Sequence, residues 1–277
     1  MDPSGVTRRV AVHGPVGALR GLWRRSMIRH VDGSVDRSTQ VRWLQGWRSY
    51  ADLRQPAPAR GFAGVRGLAD LSIEDCAWLA RQEAFAGRLV CQEGWFLWRR
   101  WIDYQPPAAH PDSGSLHWEE HVLVERGREL DYLEHWYREA LPATQPTAAV
   151  WLRDAAGRTA VVVRVGAAFM YARERPGRAG AGEHLSGHVA RARTLQAAQA
   201  LVDCEVSFGQ VARGFHIDAS TLPYRVGDAL EPQAHAGHLL LADRAARGER
   251  IARQWRIVGV ETDPECASLP LAEGLLG

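Results

Sequence analysis

Short stretches of alternating apolar and polar residues, broken by Gly, Pro, Asp and Ser, run through most of this chain, and their order recurs once. That pattern is the signature of half-buried β-strands. The stretch "LRGLWRRSMIRHVDGS" (19–34) reads as a strand entering a turn, with Trp23 and Arg25 on one face. "STQVRWLQG" (38–46) and "SYADLRQP" (49–56) continue as a meander. "LSIEDCAWLARQEAF" then carries helical spacing, opened by a Ser72–Asp75 capping box. Strands resume in "GRLVCQEGW" and "FLWRRWIDYQP", followed by a Pro-rich loop at 106–111 and "SLHWEEHVLVERG".

The second half repeats this succession. "LDYLEHWYREA" returns the Trp-x-Arg pattern at Trp136 and Arg138, "AAVWLRD" follows "QVRWLQG", and "FMYARERP" follows "SYADLRQP". A Gly-rich loop and the helical "SGHVARARTLQAAQALV" lead into "DCEVSFGQV" and "GFHIDASTLP". Trp136 lies 113 residues after Trp23, as Cys204 does after Cys91. Steady offsets over a whole unit argue for an internal duplication of a module of roughly 110 to 120 residues.

Such a module exposes sheet edges unless it closes on itself, so the expected fold is all-β with accessory helices, each unit an antiparallel barrel. Gly21-Leu22-Trp23 resembles the Gly-x-Trp signature of lipocalins and related calycin barrels. The tandem arrangement, with Trp-Arg, Val-x-Trp and "ADLRQP", resembles the Hri-type proteins of fungi and bacteria, a family of double lipocalin-like barrels of unsettled function. The resemblance implies two such barrels, expected over 15–127 and 128–277. It also implies an arginine stacked near a closing strand, for which Arg253 in "RQWRIVG" is the expected residue.

Composition removes several chemistries. The 277 residues contain neither Lys nor Asn, so all 34 basic residues are Arg. Lysine Schiff bases, pyridoxal phosphate attachment, the P-loop and kinase-type ATP binding all need a lysine. High Arg, Ala and Gly without Lys suggests a GC-rich bacterial source. With 32 acidic residues the net charge is +2, so no nucleic acid or anionic membrane surface is expected as a partner. Cys76, Cys91, Cys204 and Cys266 have no zinc-ligand spacing. The N-terminal stretch shows no secretion signal and no apolar run reaches the length of a membrane span, so a cytoplasmic location is expected.

Candidate site residues follow from strand parity. Glu134 and His135 point to opposite faces, and Glu134 shares the face of Trp136, which the lipocalin resemblance makes the interior. A carboxylate there has a raised pKa and suits proton transfer, unless an arginine such as Arg138 neutralises it. His216 and Asp218 share a strand face and form a possible acid–base pair, or a hydrogen-bonding device at a loop end. Asp103 occupies the place in the first unit that Asp218 has in the second. Arg25 and Arg138 either stack on indole or take an anionic group. Eleven tryptophans are many for this length. Trp23, Trp43, Trp136 and Trp151, with Tyr171, either fill the barrels or wall a ligand cavity. His117, Glu119 and His121 face one way on a strand, but a solvated alternating face explains them, and no metal is assigned. "GRAGAGEH" lacks the glycine order of a dinucleotide fingerprint and no G-x-S-x-G occurs, so no cofactor and no serine nucleophile is expected.

Two functions remain open at this point. One is a cofactor-independent enzyme that moves a proton on a small hydrophobic or amphiphilic molecule (isomerisation, cyclisation, hydration or dehydration), with Glu134, His216 and Asp218 as acid–base residues. The other is a binding or interaction protein without chemistry.

Overall fold

The computed structural model describes residues 9–12, 15–140, 146–177 and 179–262. Its first part contains β1 (Arg9–Ala11), β2 (Gly21–Arg29), β3 (Val35–Asp36), β4 (Gln40–Gln45), β5 (Ser49–Gln55), α1 (Ile73–Leu79), β6 (Glu83–Gln92), β7 (Trp95–Asp103), β8 (Ser113–Glu119), β9 (Val122–Gly127) and β10 (Leu133–Arg138). Its second part contains β11 (Thr147–Arg153), β12 (Thr159–Val165), β13 (Ala168–Arg173), α2 (Leu185–Ala190), α3 (Leu195–Val202), β14 (Glu205–Gln210), α4 (Ala212–Phe215), β15 (His216–Ser220), β16 (Gln233–His235), β17 (His238–Arg244) and β18 (Arg250–Thr262). The fold is all-β with accessory helices. No described helix is long and apolar enough to cross a membrane.

The first sheet is a closed antiparallel barrel. Its order runs β8-β7-β6-β5-β4-β2-β10-β9, and β9 pairs back on β8. Closure removes the sheet edges that an open sheet leaves unpaired. The second sheet, β15-β14-β13-β12-β11-β18-β17-β16, is an open half-barrel. Both follow one plan: three strands, helix, two strands, a hairpin, and a last strand returned to the first. In the second, β15 and β16 never join. The segment between them, with Leu222, Tyr224, Arg225 and Leu230 buried, fills the gap and bonds to its flanks through Ile217 N to Asp228 O and Leu230 N to Phe215 O.

The duplication is visible in backbone detail. β6 bulges at Ala86/Gly87 and β14 at Phe208/Gly209. A Cβ at Gly87 would run into the Arg99 carbonyl, and one at Gly209 into that of His216. Each position follows a helix and takes glycine because a neighbouring backbone crosses close over it.

Two expectations are corrected. The strand of Trp136 and Arg138, expected to open the second unit, closes the first barrel, pairing with β2 on one side and β9 on the other. The change of sheet lies between residues 138 and 147. Trp23 and Trp136 echo each other because they line one interior from adjacent strands. The helix expected through "LARQEAF" also ends early, at Leu79, and Glu83 onward is strand, because pairing with both β5 and β7 outweighs helical spacing. The Ser72–Asp75 capping box forms as expected.

The sheets pack through strands β4, β5 and β7 against β12, β13 and β14. Strand parity sorts the first barrel cleanly. Trp43, Tyr50 and Phe85 fill its interior, while Leu44, Ala51, Leu53, Ala84 and Ala86 face outward onto the second sheet. Small residues on both sides, Ala51, Ala86, Ala149 and Ala172 among them, let the backbones approach closely. The helices of the two units meet, α1 against α2 and α3, and cap this shared core.

Candidate functional site

One end of the closed barrel is sealed. Trp23 Nε1 donates to Leu19 O at 2.7 Å, and the Arg138 guanidinium lies 4.6 Å over the Trp23 ring while donating to Ala18 O. Arg138, rather than Arg253, is the stacked arginine of a closing strand; Arg253 pairs with Asp243 at 2.6 Å. Trp23 stacks on Trp43 at 5.5 Å, and Trp136 and Trp98 meet Trp43 edge-on. These rings fill the barrel's lower half, as large buried aromatics do.

The other end is charged and open. Alternation along β5, β7, β9 and β10 continues the inward-facing rows with Asp52 and Arg54, Arg100, Glu125, and Glu134. A cavity of about 1310 Å³ begins here, with Ile28, Arg54, Trp98, Tyr132 and Glu134 in its wall. It crosses the barrel rim beneath the Pro-rich loop and reaches Arg158, Glu174 and Arg175 of the second sheet.

Within this mouth, Glu134 and Glu125 stand directly opposite each other on paired strands. Two like charges placed so in a buried interior are unfavourable, and their neighbours resolve the conflict. Glu134 Oε1 accepts from Arg25 Nη1 at 2.5 Å and Arg54 Nη1 at 3.4 Å. Arg54 also holds Asp52 at 2.9 Å. Burial alone would lower the Arg54 pKa, but Asp52 and Glu134 hold it well above its ordinary value. Glu125 has only neutral donors, Tyr132 Oη at 2.7 Å and Trp136 Nε1 at 3.1 Å. Burial, with Glu134 and Asp112 nearby, pushes its carboxyl well above the usual carboxylate range. Burial therefore favours the protonated form of Glu125, while Glu134 is answered by two guanidinium groups.

Tyr132 Oη meets Oε1 of Glu125 and Trp136 Nε1 meets Oε2, so a proton on Oε1 would be given to the Tyr132 oxygen and reverse that contact. The Tyr132 hydroxyl proton is then free to turn to Asp112 Oδ1, 3.5 Å away, or into the cavity that Tyr132 lines. Asp103 adds a second titrating group in the cavity wall. Burial raises its carboxyl to about 6 against the opposing pull of Arg100, which pairs with it at 3.2 Å.

The structure scatters the other expected residues. His216 and Asp218 start the outer strand β15 of the half-barrel; Asp218 is exposed, and neither residue lines the cavity with Glu134. Ile217 between them takes the buried face, which turns both away from the half-barrel's core. Arg25 is bound to Glu134 and, at 3.6 Å, to Asp36. Trp151 lies between the sheets, its ring tilted against Trp101 at 4.6 Å and its Nε1 donating to Ser49 Oγ. Tyr171 is buried in the half-barrel core. His117 and Glu119 bond to each other and to Arg9. Among the described residues no group of His, Cys, Asp and Glu is arranged to hold a metal ion. Cys76, Cys91 and Cys204 are free thiols, and Cys266 lies outside the described residues. Sequence reasoning missed Glu125, Tyr132, Arg54 and Arg100. A charged residue continuing an inward apolar row, as Glu125 continues Leu123, was the available signal.

No family model and no curated protein matches the chain. Among solved structures it is similar to the crystal structure of the uncharacterized protein YLR301w from Saccharomyces cerevisiae, at 12% identity and a TM-score of 0.48, over 87% of this chain and 98% of that one.

Proposed function

We propose that the closed barrel binds a small amphiphilic molecule at its polar mouth and moves a proton on it without an organic cofactor. The observation that carries this reading is the Glu125–Glu134 pair, one carboxyl bonded only to neutral donors and pushed toward its protonated form, the other held by two arginines, beside a cavity whose wall includes Glu134 and Tyr132. Environments that drive two like groups to opposite protonation states set up an acid and a base at one pH. In this reading Tyr132 delivers a proton to the bound molecule and is refilled from Glu125, while Glu134 or Asp103 accepts one from it. Enolisation, double-bond migration and loss or addition of water all have this proton inventory. The half-barrel supports the pocket and adds Arg158, Glu174 and Arg175 to its wall. The same reading keeps the chain with the tandem lipocalin-like proteins that its Gly-x-Trp strand resembles.

A second reading, binding without chemistry, draws on one observation: Arg25 and Arg54 are both engaged by Glu134, which is how a purely structural ion lattice looks. Native mass spectrometry of protein from its own host, followed by denaturing extraction, identifies what the cavity holds. Incubating that compound with the protein in deuterated water then separates the readings. Deuterium entering a carbon position, slowed at least tenfold by Glu134→Gln or Asp103→Asn, supports proton transfer; binding with no exchange leaves a carrier.

A further inference from the structure

Arg175 follows β13 and is 8% exposed, in the wall where the cavity meets the second sheet. Its Nη2 donates to the Tyr104 carbonyl and its guanidinium lies 5.8 Å from the Tyr104 ring centre, but its Nη1 is buried with no hydrogen-bond partner. Among the described residues no carboxylate lies within ion-pair distance of it. Two acids of the same wall are turned elsewhere: Glu174 accepts from Thr159 N at 2.6 Å, and Asp103 is held by Arg100 and by Gln105 N at 3.1 Å. Three other buried arginines of the two sheets each have a carboxylate: Arg54 has Asp52, Arg173 has Asp203, and Arg225 has Glu205.

A buried guanidinium cannot escape its cost by losing a proton, as a lysine or histidine does. It costs several kcal/mol unless an anion answers it. We propose that the anion is the head group of the bound amphiphile, a carboxylate or phosphate received by the Arg175 guanidinium, with the apolar part lying along Leu97, Trp101 and Pro107. This rests on the reading of the cavity as a ligand site and names the class of molecule it takes. It also moves the anion site away from Arg25 and Arg138, whose guanidinium groups the fold already uses.

The test measures affinities of the full chain for dodecanoate, dodecyl phosphate, uncharged dodecanol and dodecyltrimethylammonium by calorimetry. At least one anionic probe is expected to bind tenfold or more tightly than dodecanol, and the cationic probe more weakly than dodecanol; which anion leads tells carboxylate from phosphate. Arg175→Gln, checked for folding by circular dichroism, is expected to remove that preference and leave dodecanol affinity unchanged. Equal binding of anionic, neutral and cationic probes overturns the anion site while keeping the cavity. An anion preference that survives in folded Arg175→Gln overturns the assignment to Arg175. Binding of none of the probes overturns the cavity reading with it. If the variant does not fold, the wild-type series still decides.

Discussion

The closed barrel and the half-barrel share a strand order and a bulge glycine, yet they treat buried charge in opposite ways. In the half-barrel each buried acid is answered by arginine: Glu205 by Arg225 at 3.0 Å, Asp228 by Arg225 and Arg244, and Asp243 by Arg253 at 2.6 Å. Burial would raise Asp243, but Arg173, Arg225 and Arg253 hold it below its ordinary value. None of Arg173, Glu205, Arg225 or Asp243 lines the cavity. In the closed barrel Glu125 has no arginine, its opposite neighbour is Glu134, and the cavity opens beside them. The half-barrel answers its buried acids with arginine; the closed barrel leaves a buried carboxyl without one where a small molecule has room to enter. Proteins retain imbalance of this kind chiefly at working sites.

The largest expected effect strikes the balanced copy. Arg225→Ala removes the nearer of the two arginines on Glu205 and leaves Asp228 and Asp243 short of one, so it is expected to cost about 3–5 kcal/mol in denaturant unfolding. Arg54→Ala removes a comparable partner from Asp52 and Glu134, but at a mouth where water enters. Its expected loss is about 1–3 kcal/mol. A loss at Arg54 as large as that at Arg225 would erase the contrast.

Glu125→Gln goes the other way. A carboxyl whose folded pKa is raised binds its proton more readily folded than unfolded, so stability is present below the unfolded pKa and is lost as pH rises. Gln keeps an oxygen to accept from Trp136 and offers its amide N–H to the Tyr132 oxygen without that loss, so the variant is expected to melt above wild type at neutral pH, with the gain shrinking toward pH 4. Asp103→Asn sharpens the same point on a smaller scale. Its carboxyl at about 6 makes wild-type stability fall between roughly pH 4 and 6, and Asn is expected to flatten that segment of the stability profile.

The fold was more legible than the site. Alternation in "QVRWLQ" and "SYADLRQ" marks strands whichever sheet they join, and the capping box marks α1 wherever it packs. The mistaken step concerned "LEHWYR". Its likeness to the first strand reflects a shared interior, and only pairing shows that two such strands are neighbours in one barrel. Glu134 was found from its parity with Trp136. Glu125 and Tyr132 were not, because the register that sets Glu125 against Glu134 is a property of two paired strands. His216 and Asp218 were singled out because they share a strand face, but the second sheet stays open where the first closes, and they lie on its outer strand. Arg175 was unreadable for another reason: what sets it apart is a missing partner, and only the packed interior shows that.

Infrared difference spectroscopy of wild type against Glu125→Gln at neutral pH tests the central contrast most directly. A protonated carboxyl band present in wild type and lost in the variant, with no matching loss for Glu205→Gln, is the expected result. A wild-type spectrum with no protonated carboxyl at neutral pH would mean that the closed barrel holds no proton to transfer, and would contradict the account.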